Sequence, residues 1–172
     1  MKKHVLIFIF SLFVLSINAQ NKSSNDIVEK KSVSKILDDL NIFASKADFK
    51  NYFGLFAEES TYVGTDATEI WDKKAFMHFA KPFFDKGKAW NFTSVKRNIY
   101  ISKDGKMAWF DELLDTQMKI CRGSGVLEKV GKTWKIKQYV LSMTVPNEVT
   151  KEVVQSKSDI ETLYLETLKK EK

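Results

Sequence analysis

The chain has 172 residues, a formal net charge of +6 and 13% aromatic residues, enough for one domain with a sizeable core. It carries a single cysteine, Cys121, so an internal disulfide is excluded and the fold must rest on hydrophobic packing. Charges alternate in sign without forming a basic block, which argues against nucleic acid as a partner.

Met1 to Ala19 has the pattern of a secretory signal: Lys2 and Lys3, an apolar run from Val5 to Leu15, and a small residue, Ala19, suited to cleavage. The run is shorter than the roughly 20 residues that a spanning helix needs, so no stable membrane anchor is expected. Removing two lysines and no acid lowers the charge from +6 to +4. Cys121 lies far from the cleavage site, which excludes a lipid on a mature N-terminal cysteine. The expected organisation is a signal peptide over residues 1–19, a domain over 20–147 and a charged helical tail over 148–172, in a periplasmic or secreted protein.

Asn25 or Ser24 caps a first helix, with Val33, Ile36, Leu37, Leu40, Phe43 and Ala47 at three- and four-residue spacing. Asp48 caps a short second helix carrying Phe49, Tyr52, Phe53 and Phe56, ended by Glu58-Glu59-Ser60. Thr61-Tyr62-Val63 is a short strand, and Asp72 caps a third helix with Ala75, Phe76, Phe79 and Ala80 inward, broken at Pro82 and closed by Gly87. Extended segments follow from Trp90 to Ser102, Lys106 to Met118, Gly123 to Val130 and Thr133 to Val145, with turns at Lys103-Asp104-Gly105 and Gly131-Lys132. The expected class is α+β, three helices packed in a strongly bent antiparallel sheet. The tail has Val149, Val153, Ile160, Leu163, Tyr164 and Leu168 in a charged background and reads as a helix.

Phe49 to Glu59 with Thr61-Tyr62-Val63-Gly64-Thr65-Asp66 and Glu69-Ile70-Trp71-Asp72 resembles the opening of SnoaL-like domains of the nuclear transport factor 2-like superfamily. Arg122-Gly123-Ser124-Gly125-Val126-Leu127 and Trp134 to Ser142 resemble their closing hairpin. The resemblance spans about Val33 to Asn147 and implies a cone-shaped sheet with a ligand pocket at its open end. Ketosteroid isomerase, an enzyme of that superfamily, uses an aspartate base with a tyrosine and a protonated aspartic acid at the oxyanion. The resemblance places Gly64 where that base belongs, Asp66 two residues away, and Gly123 where the oxyanion acid belongs, which disfavours that chemistry. Val140 stands where relatives often carry a polar residue.

His78 and Cys121 cannot by themselves make a metal cluster, and no cofactor is implied. Charges within apolar strands carry more information, because a buried unpaired charge costs several kcal/mol. Strand periodicity separates Trp109, Asp111 and Leu113 from Phe110, Glu112 and Leu114, and the second face is the more apolar, so Glu112 is expected inside with Arg122 as its partner. Glu112, or Asp66, would be the acid or base of an enzyme; Arg122, Tyr62, Trp71, Trp109, Asp111, Gln138 and Ser142 would line a ligand site. The sequence supports a small-molecule-binding domain first. The alternatives are an isomerase, cyclase or dehydratase, and a homodimeric interaction module that uses the outer sheet face. An open cone with an accessible carboxylate distinguishes the first two from a filled cone with an apolar outer face.

Overall fold

The computed structural model describes residues 25–171, so the expected signal peptide lies outside the described residues. The described chain divides into two compact units that meet in sequence between Ser142 and Met143. The first holds α1 (helical over 25–45), α2 (Phe49–Gly54), β1 (Phe56–Val63), β2 (Ile70–Asp72), α3 (Lys73–Asp85), β3 (Thr93–Ile101), β4 (Met107–Thr116), β5 (Lys119–Val130) and most of β6 (Thr133–Met143). The strands form one curved, unclosed sheet in the order β2-β1-β6-β5-β4-β3.

Helix α1 buries Val33, Leu37 and Leu40 of the expected stripe, with Ala44, on the inner side of the sheet, while Ile36, Phe43 and Ala47 are partly buried. Its Glu29 accepts hydrogen bonds from Lys129 of β5 and, at 2.8 Å, from the Trp134 indole of β6. The Lys129 hydrogen bond, reinforced by Trp134, holds the Glu29 carboxyl below its usual range against the opposing effect of burial. Glu29→Ala is therefore expected to cost about 1–2 kcal/mol near neutral pH in urea denaturation. For a lowered acid this contribution is complete above the unfolded-state pKa and disappears as pH falls through the folded-state value, so wild type and variant should converge in acid.

Three expectations are corrected. The second helix stops at Gly54, and Glu58-Glu59-Ser60, expected to end it, lie inside β1. The sheet is mixed, because β1 runs parallel to β6, whereas β1 precedes α3 as expected. Helix α3 continues through Pro82 to Asp85, where Gly87 at φ +69° allows the reversal; Phe84 is buried and Phe79 is exposed. Asp72 caps α3 as expected, accepting from the Ala75 N–H at 2.7 Å.

An irregularity in β6 alters what the sheet presents. Between successive partners β1 advances from Phe56 to Thr61 while β6 advances only from Ile136 to Gln138. Trp134 and Ile136 face the core, and beyond the irregularity Tyr139 and Leu141 do so, displacing Gln138 and Ser142 to the other side. Gly125 of β5 permits this, since a Cβ there would overlap the Gln138 carbonyl oxygen.

In the second unit, a short 3-10 turn (Asn147–Val149) leads into α4 (Thr150–Lys170), so the tail is helical as expected. Val154, Ile160 and Leu163 are exposed, Val153 and Tyr164 are half-buried, and Lys157 pairs with Glu161 one turn on. Among the described residues no helix is long and apolar enough to cross a membrane.

Candidate functional site

The inner face of the sheet carries one charged cluster in an apolar surround. Glu112 of β4 is 1% exposed and lies opposite Arg97 of β3 and Gly123 of β5 in the ladder. Arg97 Nε donates to Glu112 Oε2 at 2.8 Å. Nη2 lies 2.8 Å from the same oxygen but at an angle that makes no hydrogen bond, so it contributes as charge alone. Nη1 reaches α1, donating to the Ser34 carbonyl (3.1 Å), the Ser34 hydroxyl (2.8 Å) and Asp38 (2.7 Å). Arg97 thus joins a buried carboxylate to a surface one through a side chain that is itself 10% exposed.

The other oxygen, Glu112 Oε1, accepts from the Tyr139 hydroxyl at 3.3 Å. Burial, then the Glu112 charge, raises the Tyr139 pKa well above its ordinary value, which keeps the phenol a donor. Burial alone would pull the Arg97 guanidinium down; the charges of Glu112 and Asp38 and their hydrogen bonds outweigh it and leave its pKa raised. The cluster is therefore an ion pair with a neutral donor attached.

Rings occupy the space in front of it. Tyr139 stacks on Tyr62 at 5.5 Å, Tyr62 on Phe76 at 3.9 Å, and Phe76 on Trp90 at 5.9 Å, while Phe110 stands 5.8 Å from Tyr139. Burial likewise raises the Tyr62 pKa. These rings are buried members of the hydrophobic core, Trp90 partly so, and Tyr139 brings them into contact with Glu112.

The expected site residues divide between the two faces. Glu112 and Tyr62 are inside, and Trp71 is half-buried at the rim, stacked on Phe76 at 5.8 Å and Phe79 at 4.6 Å. Arg122 is corrected: it is exposed, lies opposite Leu113 and points away from Glu112, because it alternates with the inward residues Cys121 and Gly123. Trp109, Asp111, Gln138 and Ser142 share that outer face. Trp109 is 47% exposed and stacks on Tyr100 at 5.7 Å, and Asp111 accepts from the Asn98 amide at 2.9 Å. Asp66 sits in an exposed turn, where hydrogen bonds from Thr68 lower its pKa. Among the described residues no group of three or more His, Cys, Asp and Glu is placed to hold a metal.

Arg97 and Tyr139 did not figure in the sequence reading. Arg97 had a usable signal: counting back from the hairpin at Lys103-Asp104-Gly105 pairs it with Glu112. Tyr139 had none, since its inward orientation depends on the β6 irregularity.

Structural comparison gives the fold. The chain is similar to an NTF2-like protein of unknown function from Pseudomonas putida KT2440, with 11% identity, TM-score 0.58, and 72% of this chain and 91% of that one covered. It is similar to a protein from Novosphingobium aromaticivorans DSM 12444 proposed to be a scytalone dehydratase (12% identity, TM-score 0.60, 69% and 86% covered). It is also similar to the association domain of CaMKII from C. elegans (18% identity, TM-score 0.57, 69% and 98% covered). No curated protein matches the sequence. Residues 33–146 match the SnoaL-like domain, most of the chain, and with the NTF2-like cone around them this protein belongs to the SnoaL-like domain family.

Proposed function

We propose that this SnoaL-like domain is an exported homodimeric interaction module that uses the outer face of its sheet. The observation that carries this reading is the exchange of roles between faces. The inner face, where a ligand would sit, carries stacked rings and the Arg97–Glu112 ion pair. The outer face exposes Trp109, Tyr100 and Met107 beside half-buried Leu113, Val126 and Val140. A contiguous apolar patch of aromatic and aliphatic side chains is typical of association surfaces. Asp111 and Arg122 on the same face suit a two-fold contact, in which each can meet its opposite charge on the other copy. The likeness to association domains supports the same reading.

The test is the monomer–dimer equilibrium by sedimentation. Trp109→Glu should raise the dimer Kd by at least about tenfold, or 1.4 kcal/mol, with an unchanged fold by circular dichroism. A wild-type protein that stays monomeric at high concentration would overturn the proposal. Export is supported by the Lys2-Lys3 and Val5 to Leu15 pattern. A mature protein beginning at Gln20 by intact mass supports it; retention of Met1 refutes it.

A second reading, a small-molecule site, draws support from the polar Glu112–Tyr139 cluster inside an apolar cone and from the likeness to the proposed scytalone dehydratase. Thermal stabilisation by phenolic or carbonyl ring compounds that is lost in Glu112→Gln would favour it, and the absence of any such stabilisation would discard it.

A further inference from the structure

Strand β3 is an edge of the sheet, and two surface grooves run beside it. One, about 470 Å³, lies between Lys30, Lys31 and Ser34 of α1 and residues 97–100 of β3. The other, about 390 Å³, lies between Asp38, Ile42 and Ser45 of α1 and residues 91–94. Arg97 lines the first, Asp38 lines the second, and the two side chains are bonded at 2.7 Å, so the grooves meet at this ion pair. The Arg97 side chain crosses from β3 to Ser34 and Asp38 of α1 between them, so the channel along α1 is interrupted by this bridge; from Lys31 to Ser45 it spans about 21 Å at 1.5 Å per residue. About six residues of extended chain cover that distance.

The wall of the channel is the strand edge itself. Arg97 and Ile99 belong to the inner face and Asn98 and Tyr100 to the outer face, yet all four line the same groove. Side chains from both faces enclose a common space only at an edge. The ladder shows which backbone groups face it. Ser102 N–H donates to the Met107 carbonyl at 2.9 Å, so by antiparallel alternation Tyr100 and Asn98 bond to Trp109 and Asp111 of β4. The N–H and C=O groups of Arg97, Ile99 and Ile101 therefore point outward. Alternating donors and acceptors at this spacing match another peptide backbone, which a nucleic acid does not offer.

The charge of the channel sets the partner's chemistry. Lys30 and Lys31 line its first part, β3 contains no acid, and the one carboxylate among the lining residues, Asp38, is engaged by Arg97. We propose that this channel binds an acidic, extended segment of another polypeptide, which adds a strand to β3 and sets its carboxylates against Lys30 and Lys31.

The probe is a fluorescein-labelled eight-residue peptide alternating Glu with Val and Thr, followed by anisotropy on the purified protein. Saturable binding is expected, weakened at least about tenfold when the glutamates become lysines and again when alternate backbone nitrogens are methylated. The K30E/K31E variant should lose the acidic peptide by a similar factor and gain the basic one. Ile99→Pro removes one outward N–H without touching the β4 ladder and should weaken binding; because Ile99 also packs on the core, the methylated peptide tests the same bond with the protein unaltered. No saturable binding up to millimolar peptide, or equal binding of the methylated peptide, overturns the proposal, the second showing charge attraction without strand addition.

Discussion

Replacing Arg97 by Met is expected to cost about 3–5 kcal/mol in urea denaturation, because the buried Glu112 carboxyl would lose the cation that compensates it. Glu112 is 1% exposed, and its remaining partner is the Tyr139 hydroxyl at 3.3 Å, a neutral donor too weak to offset burial of a carboxylate. The change also removes the bridge to Ser34 and Asp38, so α1 loses a polar tie to the sheet. Adding Glu112→Gln in the same chain removes the stranded carboxyl at nearly constant shape and should recover much of the loss. Arg122→Met provides the contrast. Arg122 is exposed on the outer face, and its replacement should stay within about 0.5 kcal/mol of wild type. Additive losses in the R97M/E112Q double variant, or a larger loss at Arg122 than at Arg97, would show that the pair does not act as described.

Residues governed by local periodicity were legible in the sequence. The stripe Val33, Leu37, Leu40 on α1 and the alternation of Phe110, Glu112 and Leu114 each place an apolar face, and the inward Glu112 follows from the company it keeps. Asp72 declares its helix cap by chemistry alone. What failed was parity across an irregularity. Trp134, Ile136, Gln138 and Ser142 alternate cleanly in sequence, but Tyr139 and Leu141 turn inward beyond the irregularity, which coincides with a register shift against a parallel partner far earlier in the chain, beyond any local window. The expectation for Arg122 rests on its being a cation one strand from Glu112. It failed because a charge beside two inward residues must itself point out, a consequence already present in Cys121-Arg122-Gly123.

That same Gly123 makes the most specific demand on the site. A Cβ there would lie 2.5 Å from the Tyr139 hydroxyl and 3.1 Å from Cγ and Oε1 of Glu112, so the space an ordinary residue fills is taken by a phenol arriving from β6. Gly123→Ala should cost about 1–3 kcal/mol from overpacking, and about 1 kcal/mol more if Tyr139 must retreat from Glu112. Retreat is hindered, since the Tyr139 ring is stacked on Tyr62 and bounded by Phe110. Tyr139→Phe alone removes the hydroxyl and leaves Oε1 short of a donor, a loss of about 1–3 kcal/mol. Combined, the two changes relieve each other, because the new methyl occupies the space the hydroxyl vacated, and the double variant should be more stable than the sum of the single losses predicts by at least about 1 kcal/mol. Strict additivity would mean that the methyl collides with something other than the hydroxyl. The outcome bears on function as well. The family resemblance puts an oxyanion acid at this position, and a favourable coupling would show that the chain has given the space to a tyrosine that anchors Glu112, converting the polar end of a pocket into core.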